Sequence, residues 1–134
     1  MIVNISTREF YLIWRNVWKS LPQQVRGELA TSIGLVEETP SHRDSSFVYG
    51  CYSPAGPRTG NIQLYTKDLS HLSGCAIAGV MAHELGHAYC HLKRGDPAPC
   101  RPEIDTGANC MASAWGFQQE LQALEEERKP AIDS

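Results

Sequence analysis

The chain has 134 residues, 42% of them apolar and 20% charged, with a formal charge of −3. That is the size and balance of one domain with a single core, leaving little room for a second substrate-binding unit. The weak negative charge and the lack of a basic stripe argue against nucleic acid as a partner, and no apolar run approaches the roughly 18 residues that span a bilayer. The start, MIVNISTREF, shows neither the basic nor the apolar region of a secretory leader. A cytoplasmic location without a membrane partner is the expectation. Of the five cysteines (Cys51, Cys75, Cys90, Cys100 and Cys110), none stands in a C-x-x-C pair. The odd count points to free thiols in a reducing compartment, and a separate structural zinc cluster is not expected.

Phe10, Ile13, Trp14, Val17 and Trp18 recur at helical spacing and predict a core-facing helix over about Thr7 to Lys19. Leu21-Pro22 breaks that pattern. Pro22 then suits the first turn of a second helix, Gln23 to about Ser32, with Gly34 past its end. Gly34 to Ser46 is mostly polar, contains Pro40 and His42, and reads as a loop.

Phe47 to Tyr52 and Asn61 to Thr66 read as two strands of a hairpin, joined by Ser53 to Gly60 with its two prolines and two glycines. A strand beside a site helix can hold an extended peptide by main-chain pairing along an open edge. Lys67 to Gly74 connects this hairpin to a long helix from about Cys75 to Leu92 or Lys93, which stops at Gly95. Gly79, Ala82 and Gly86 lie within it. Glycines inside a helix cost about 1 kcal/mol each relative to alanine, and close approach of another backbone is one reason to keep them. Asp96 to Pro102 holds three prolines and cannot continue a helix. A last helix runs from Pro102 or Glu103 to about Glu127, interrupted at Trp115-Gly116-Phe117 by a kink or break.

The chemistry concentrates in His83-Glu84-Leu85-Gly86-His87. Residues four apart share a helix face, so the two imidazoles stand one turn apart with Glu84 at the edge of the same face. H-E-x-x-H is the zinc-peptidase signature: two nitrogen ligands for Zn²⁺ and a carboxylate that acts as general base on the zinc-bound water. His91 continues the i, i+4 series. It lies too far round and along the helix to complete a tetrahedron, and it reads as a supporting or surface residue. The third ligand must come from elsewhere, and Glu103 and Asp105 are the better candidates. They stand about 200° apart on a helix, and periodicity alone does not choose between them. Tyr89, His91 and Arg101 are all available as oxyanion donors, and none stands out.

The segment from His83 to Leu124 resembles the small gluzincin-type zinc peptidases, the minigluzincins, and their relatives that cleave phage-type repressors. Those families carry H-E-L-G-H on one helix. On a second helix they carry an acidic ligand followed by Ala at +3, Asp or Asn at +4 and Ala at +7. Asp105, Ala108, Asn109 and Ala112 stand in that register. The ligand position holds Asp where the families have Glu, so the helix must come closer to the metal. The resemblance implies a metal set of His83, His87 and Asp105, with Glu103 as the alternative. It also implies that Asn109 orients one of the two histidines.

The resulting expectation is an α+β fold, zincin-like, in a single domain over residues 1–134. Residues 1–45 form a helical N-terminal part and 46–134 a catalytic core. A small twisted sheet packs with an active-site helix, and a C-terminal helix bears the third ligand. The expected function is zinc-dependent hydrolysis of peptide bonds in a peptide or protein substrate, a repressor-like protein among the candidates. The alternative is a non-catalytic or latent metal-binding module that regulates or interacts through the same fold. Glu84 argues against a purely structural site, which has no use for a carboxylate base there.

Overall fold

A computed structural model of the chain describes residues 3–38, 49–56, 58–94 and 102–133, the side chains of 36–38, 94, 102–106 and 128–133 excepted. A short strand β1 (Val3–Asn4) leads into helices α1 (Arg8–Ser20) and α2 (Gln23–Ala30), then strand β2 (Ile33–Glu38). The hairpin β3 (Gly50–Gly56) and β4 (Thr59–Tyr65) follows, then a one-turn helix α3 (Thr66–Leu69). Helix α4 (Gly74–Arg94) carries the H-E-x-x-H sequence, and α5 (Pro102–Ala114) and α6 (Gln118–Asp133) close the chain. The fold is α+β. Its mixed sheet has the order β1-β2-β4-β3, with β1 and β4 both parallel to β2 and β3 antiparallel to β4.

The sheet departs from the sequence reading at its centre. Gly34 to Ser46 reads as a loop, yet Ile33–Glu38 is a strand paired on both sides. Ile33 and Leu35 are buried while Gly34 between them is not, the alternation of a strand with one face on the core. The signal in Ile33-Gly34-Leu35-Val36 is short, and Gly34 also looks like a helix stop. Residues 39–48, with His42 and the predicted start of β3, lie outside the described residues. A division at residue 45 therefore cuts through the sheet, since β1 and β2 pair with β4. The part before it is not helical alone. The strands β3 and β4 also run further into their connection than the prolines suggest, with an irregularity between Pro54 and Gly56 and with Arg58 at φ 64° in the turn.

The helices follow their periodicity more closely. Phe10, Trp14 and Val17 of α1 are buried and Ile13 and Trp18 half-buried, so the aromatic stripe belongs to the core. The interruption at Trp115-Gly116-Phe117 is a full break. Gly116 adopts φ 99°, its N–H donates to Ser113 O at 3.0 Å, and Phe117 N–H donates to Ala112 O at 3.1 Å. These are the two bonds of a Schellman stop, and buried Phe117 anchors the turn. Helix α2 is tied to α4 by Glu28, which accepts from Tyr89 Oη at 3.0 Å and pairs with Lys93. Hydrogen bonding from Lys93, then from Tyr89, holds the Glu28 carboxyl below its ordinary range.

Two glycines let α4 meet its C-terminal neighbours without a side chain between them. A methyl at Gly86 would overlap the Ala108 carbonyl oxygen and stand 3.0 Å from its Cα. One at Gly79 would overlap the Glu120 carbonyl oxygen and stand 3.3 Å from Leu124 Cβ. At the start of α4 the Ser73 N–H donates to Glu127 Oε1 at 2.7 Å, and Ser73 Oγ accepts from Ala76 N–H at 3.2 Å. The carboxylate of α6 thus sits at the positive end of α4.

Gly86→Ala and Gly79→Ala should each lower stability by about 1–3 kcal/mol, because overpacking outweighs the gain of about 1 kcal/mol in helix propensity. Gly107 and Gly27 are helical glycines with nothing within 4 Å of an added methyl. Alanine there should stabilise by up to about 1 kcal/mol. Urea midpoints of the four variants check this; a stabilising Gly86→Ala would show that α4 and α5 are not in backbone contact.

Candidate metal centre

The site grows out of α4. Its apolar positions Ile77, Val80, Met81 and Leu85 are buried in the core, and they hold the helix in one rotation about its axis. That rotation brings His87 and Glu84, each 6% exposed, to the buried side, with His83 half-buried one turn before His87. The two rings meet edge to face, with centroids 4.6 Å apart and an interplanar angle of 88°. Their Nε2 atoms are 3.1 Å apart.

Asn109 of α5 settles the tautomer of one ring. Its Oδ1 can only accept, so His83 Nδ1 donates across the 2.8 Å between them. In the neutral ring Nε2 is then a bare acceptor directed at His87. The family resemblance implies a contact of Asn109 with either histidine; the contact formed is with His83. Two nitrogens bound to one tetrahedral zinc at about 2.0–2.1 Å stand about 3.3 Å apart. The observed 3.1 Å and the orientation of His83 fit that requirement.

Glu84 lies under strand β3. A Cβ at Gly50 would come within 3.4 Å of Glu84 Cγ and 3.2 Å of Val80 Cγ1, so the strand backbone rests on the stem of this side chain. Two residues on, and on the same face, the buried Tyr52 hydroxyl shares a 2.6 Å hydrogen bond with Nδ1 of buried His91. Arg58 in the hairpin turn donates to the carbonyls of Leu92 at 2.8 Å and Lys93 at 3.3 Å. The β3–β4 hairpin thus lies along α4 from Val80 to its C-terminal end. Among the described residues β3 is an edge strand of the sheet.

His83 and His87 therefore come together as their spacing predicts, and Glu84 lies buried on the same helix. His91 stands apart from the pair and is not a surface residue: it is 5% exposed and bonded to Tyr52. The side chains of Glu103 and Asp105 lie outside the described residues, as do Asp96 and Arg101. Among the described residues no third His, Cys, Asp or Glu joins the two histidines. Neither of the other oxyanion candidates is placed for that role, because Tyr89 donates to Glu28 and His91 is engaged with Tyr52. Cys75 and Cys110 are free and exposed, while Cys90 is buried. Cys100 lies outside the described residues. Sequence reasoning did not find Gly50, Tyr52 or Arg58. Gly50 and Tyr52 carry only a strand alternation as signal, and their partners are more than 30 residues away.

Among the described residues no helix is long and apolar enough to cross a membrane. Comparison with protein-family models, curated proteins and solved structures finds no match.

Burial pushes the Tyr52 phenol up to about 12 from an ordinary value of 10.0. The folded chain thus keeps this proton longer than the unfolded chain. The stability that neutral Tyr52 contributes is complete below about pH 10 and declines as the pH rises towards about 12. Alkaline titration followed by tyrosinate absorbance should show a late step that Tyr52→Phe removes. A Tyr52 that ionises with the exposed phenols would contradict its placement against His91.

Proposed function

We propose that the chain is a zinc-dependent metallopeptidase with a zincin-like fold of the gluzincin type. The observation that carries the reading is the His83–His87 pair. Two imidazoles on one face of α4 direct their Nε2 atoms to within 3.1 Å of each other, and Asn109 holds one of them in the tautomer a metal requires. The α+β fold, with a long helix under a mixed sheet and a second helix crossing it at Gly86, supports the same reading.

His83 and His87 are the two nitrogen ligands, and Asp105 is the third. The register of α5 favours Asp105 over Glu103. Ala108 meets Gly86, Asn109 meets His83 and Ala112 is buried, and position 105 stands on that same stripe one turn earlier. Position 103 stands on the opposite side of the helix. Zinc, when bound, supplies a Lewis acid that polarises the scissile carbonyl and acidifies the attacking water. Glu84 takes the proton from that water and passes it to the leaving amine. Its burial, with the stem beside Gly50 of β3, supports that role. Asn109 maintains the orientation of His83. The substrate is a peptide or a protein segment, and a repressor-like protein is the natural candidate among proteins.

Metal analysis of dialysed protein should find one zinc, lost in His83→Ala, His87→Ala and Asp105→Ala and retained in Glu103→Ala. Loss in Glu103→Ala with retention in Asp105→Ala would transfer the third ligand to Glu103. Removing the partner of a ligating histidine costs about 10–100-fold in metal affinity, so Asn109→Ala should weaken zinc by that factor. Glu84→Gln should retain the metal and abolish hydrolysis of casein-derived peptides. Turnover by Glu84→Gln at the wild-type rate would exclude it as the base.

A further inference from the structure

We propose that Tyr52 and His91 clamp strand β3 onto α4, so that Gly50, Tyr52 and His91 are positioning residues for the Glu84 carboxylate. The inference rests on the reading of Glu84 as the general base and assigns residues that the H-E-x-x-H pattern does not contain.

Strand β3 runs along α4. Gly50 and Tyr52 are two apart on the strand and point to the same side, while Glu84 and His91 are seven apart on the helix and share a face. Gly50 lies over Glu84, where an added methyl would come 3.2 Å from both Val80 Cγ1 and Gln63 O and 3.4 Å from Glu84 Cγ. The stem of Glu84 is thus confined between its own helix and the backbone of a strand. The strand's height above the helix determines where the carboxylate ends.

That height is set nearby. Tyr52 and His91 are 2% and 5% exposed and share a 2.6 Å hydrogen bond. A hydrogen bond between buried groups is directional, and leaving a buried polar atom without it costs about 1–3 kcal/mol, so the strand cannot slide without a penalty. Gly60 on β4 provides the space for the clamp: a methyl there would overlap the Tyr52 hydroxyl. Cys51, between the two clamp-side residues, has Sγ 4.0 Å from Ser53 Oγ, and Ser53 Oγ donates to Gln63 Oε1 at 3.5 Å. That is the other side of the sheet, which makes Cys51 a control from the same strand.

The test reads Glu84 directly, in the metal-free chain, by carbon NMR of glutamate labelled at the side-chain carboxyl. The Glu84 signal is identified by its loss in Glu84→Gln. Gly50→Ala, Tyr52→Phe and His91→Gln should each move it by more than its linewidth, while Cys51→Ser leaves it in place. A purely structural role would lower the unfolding midpoint without moving the resonance. If the signal in folded Tyr52→Phe and His91→Gln coincides with wild type, the clamp is refuted; these two variants decide should Gly50→Ala fail to fold. In zinc-loaded protein acting on a casein-derived peptide, Tyr52→Phe should lower kcat by up to about 100-fold with KM nearly unchanged, the penalty of a misplaced catalytic group. If wild type neither holds zinc through His83 and His87 nor cleaves the peptide, the peptidase reading fails. The NMR comparison still decides whether the clamp sets Glu84.

Discussion

Backbone contact at Gly86 is the constraint on which the rest of the structure depends. Two helices whose backbones touch lie closer together than ordinary side chains allow. Gly86 lies between the two histidines and meets the backbone of Ala108, so α5 approaches α4 at the level of the site. Asn109, the next residue, then reaches His83 at 2.8 Å. Gly79 does the same for α6 two turns earlier, where Glu120 passes over it. The Schellman stop at Gly116 lets one chain make both approaches, because it ends α5 and redirects α6 back along α4. The two helix glycines give up roughly 2 kcal/mol of helix propensity together, and the geometry of the site is what they support.

The other side of α4 is organised by polar pairs. Glu28 ties α2 to Tyr89 and Lys93, Tyr52 ties β3 to His91, and Arg58 ties the hairpin turn to the last carbonyls of the helix. Each pair brings a residue of α4 against a different element, and together they fix α4 in rotation and in height. An apolar interface alone tolerates sliding; a buried hydrogen bond does not. Glu84 is buried on the same helix, with its stem beside the backbone of β3 at Gly50.

Much of this was legible in the sequence, for local reasons. The H-E-x-x-H spacing, the aromatic stripe of α1, the glycines of α4 and the break at Trp115-Gly116-Phe117 are all patterns within one element, where helical geometry converts spacing directly into position. Asn109 was legible only through the family resemblance that the register of Asp105, Ala108, Asn109 and Ala112 carries. The strand β2 was not, since Ile33-Gly34-Leu35-Val36 is too short to be distinguished from the end of a helix. Its pairing with β4 also joins residues more than 25 positions apart. Tyr52 and His91 escaped for the same reason: neither residue type nor local spacing announces a partner 39 residues away.

By itself the sequence determined where the histidines stand on their helix, which faces are apolar and where the helices stop, because each of these is a consequence of φ/ψ preference and side-chain period over a few residues. Tertiary structure decided the strand order, the choice of His83 as the partner of Asn109, the burial of Glu84 beneath Gly50 and the pairing of Tyr52 with His91. These depend on how close two separate backbones come. That distance is set by packing over the whole domain and is not written in any one stretch of chain.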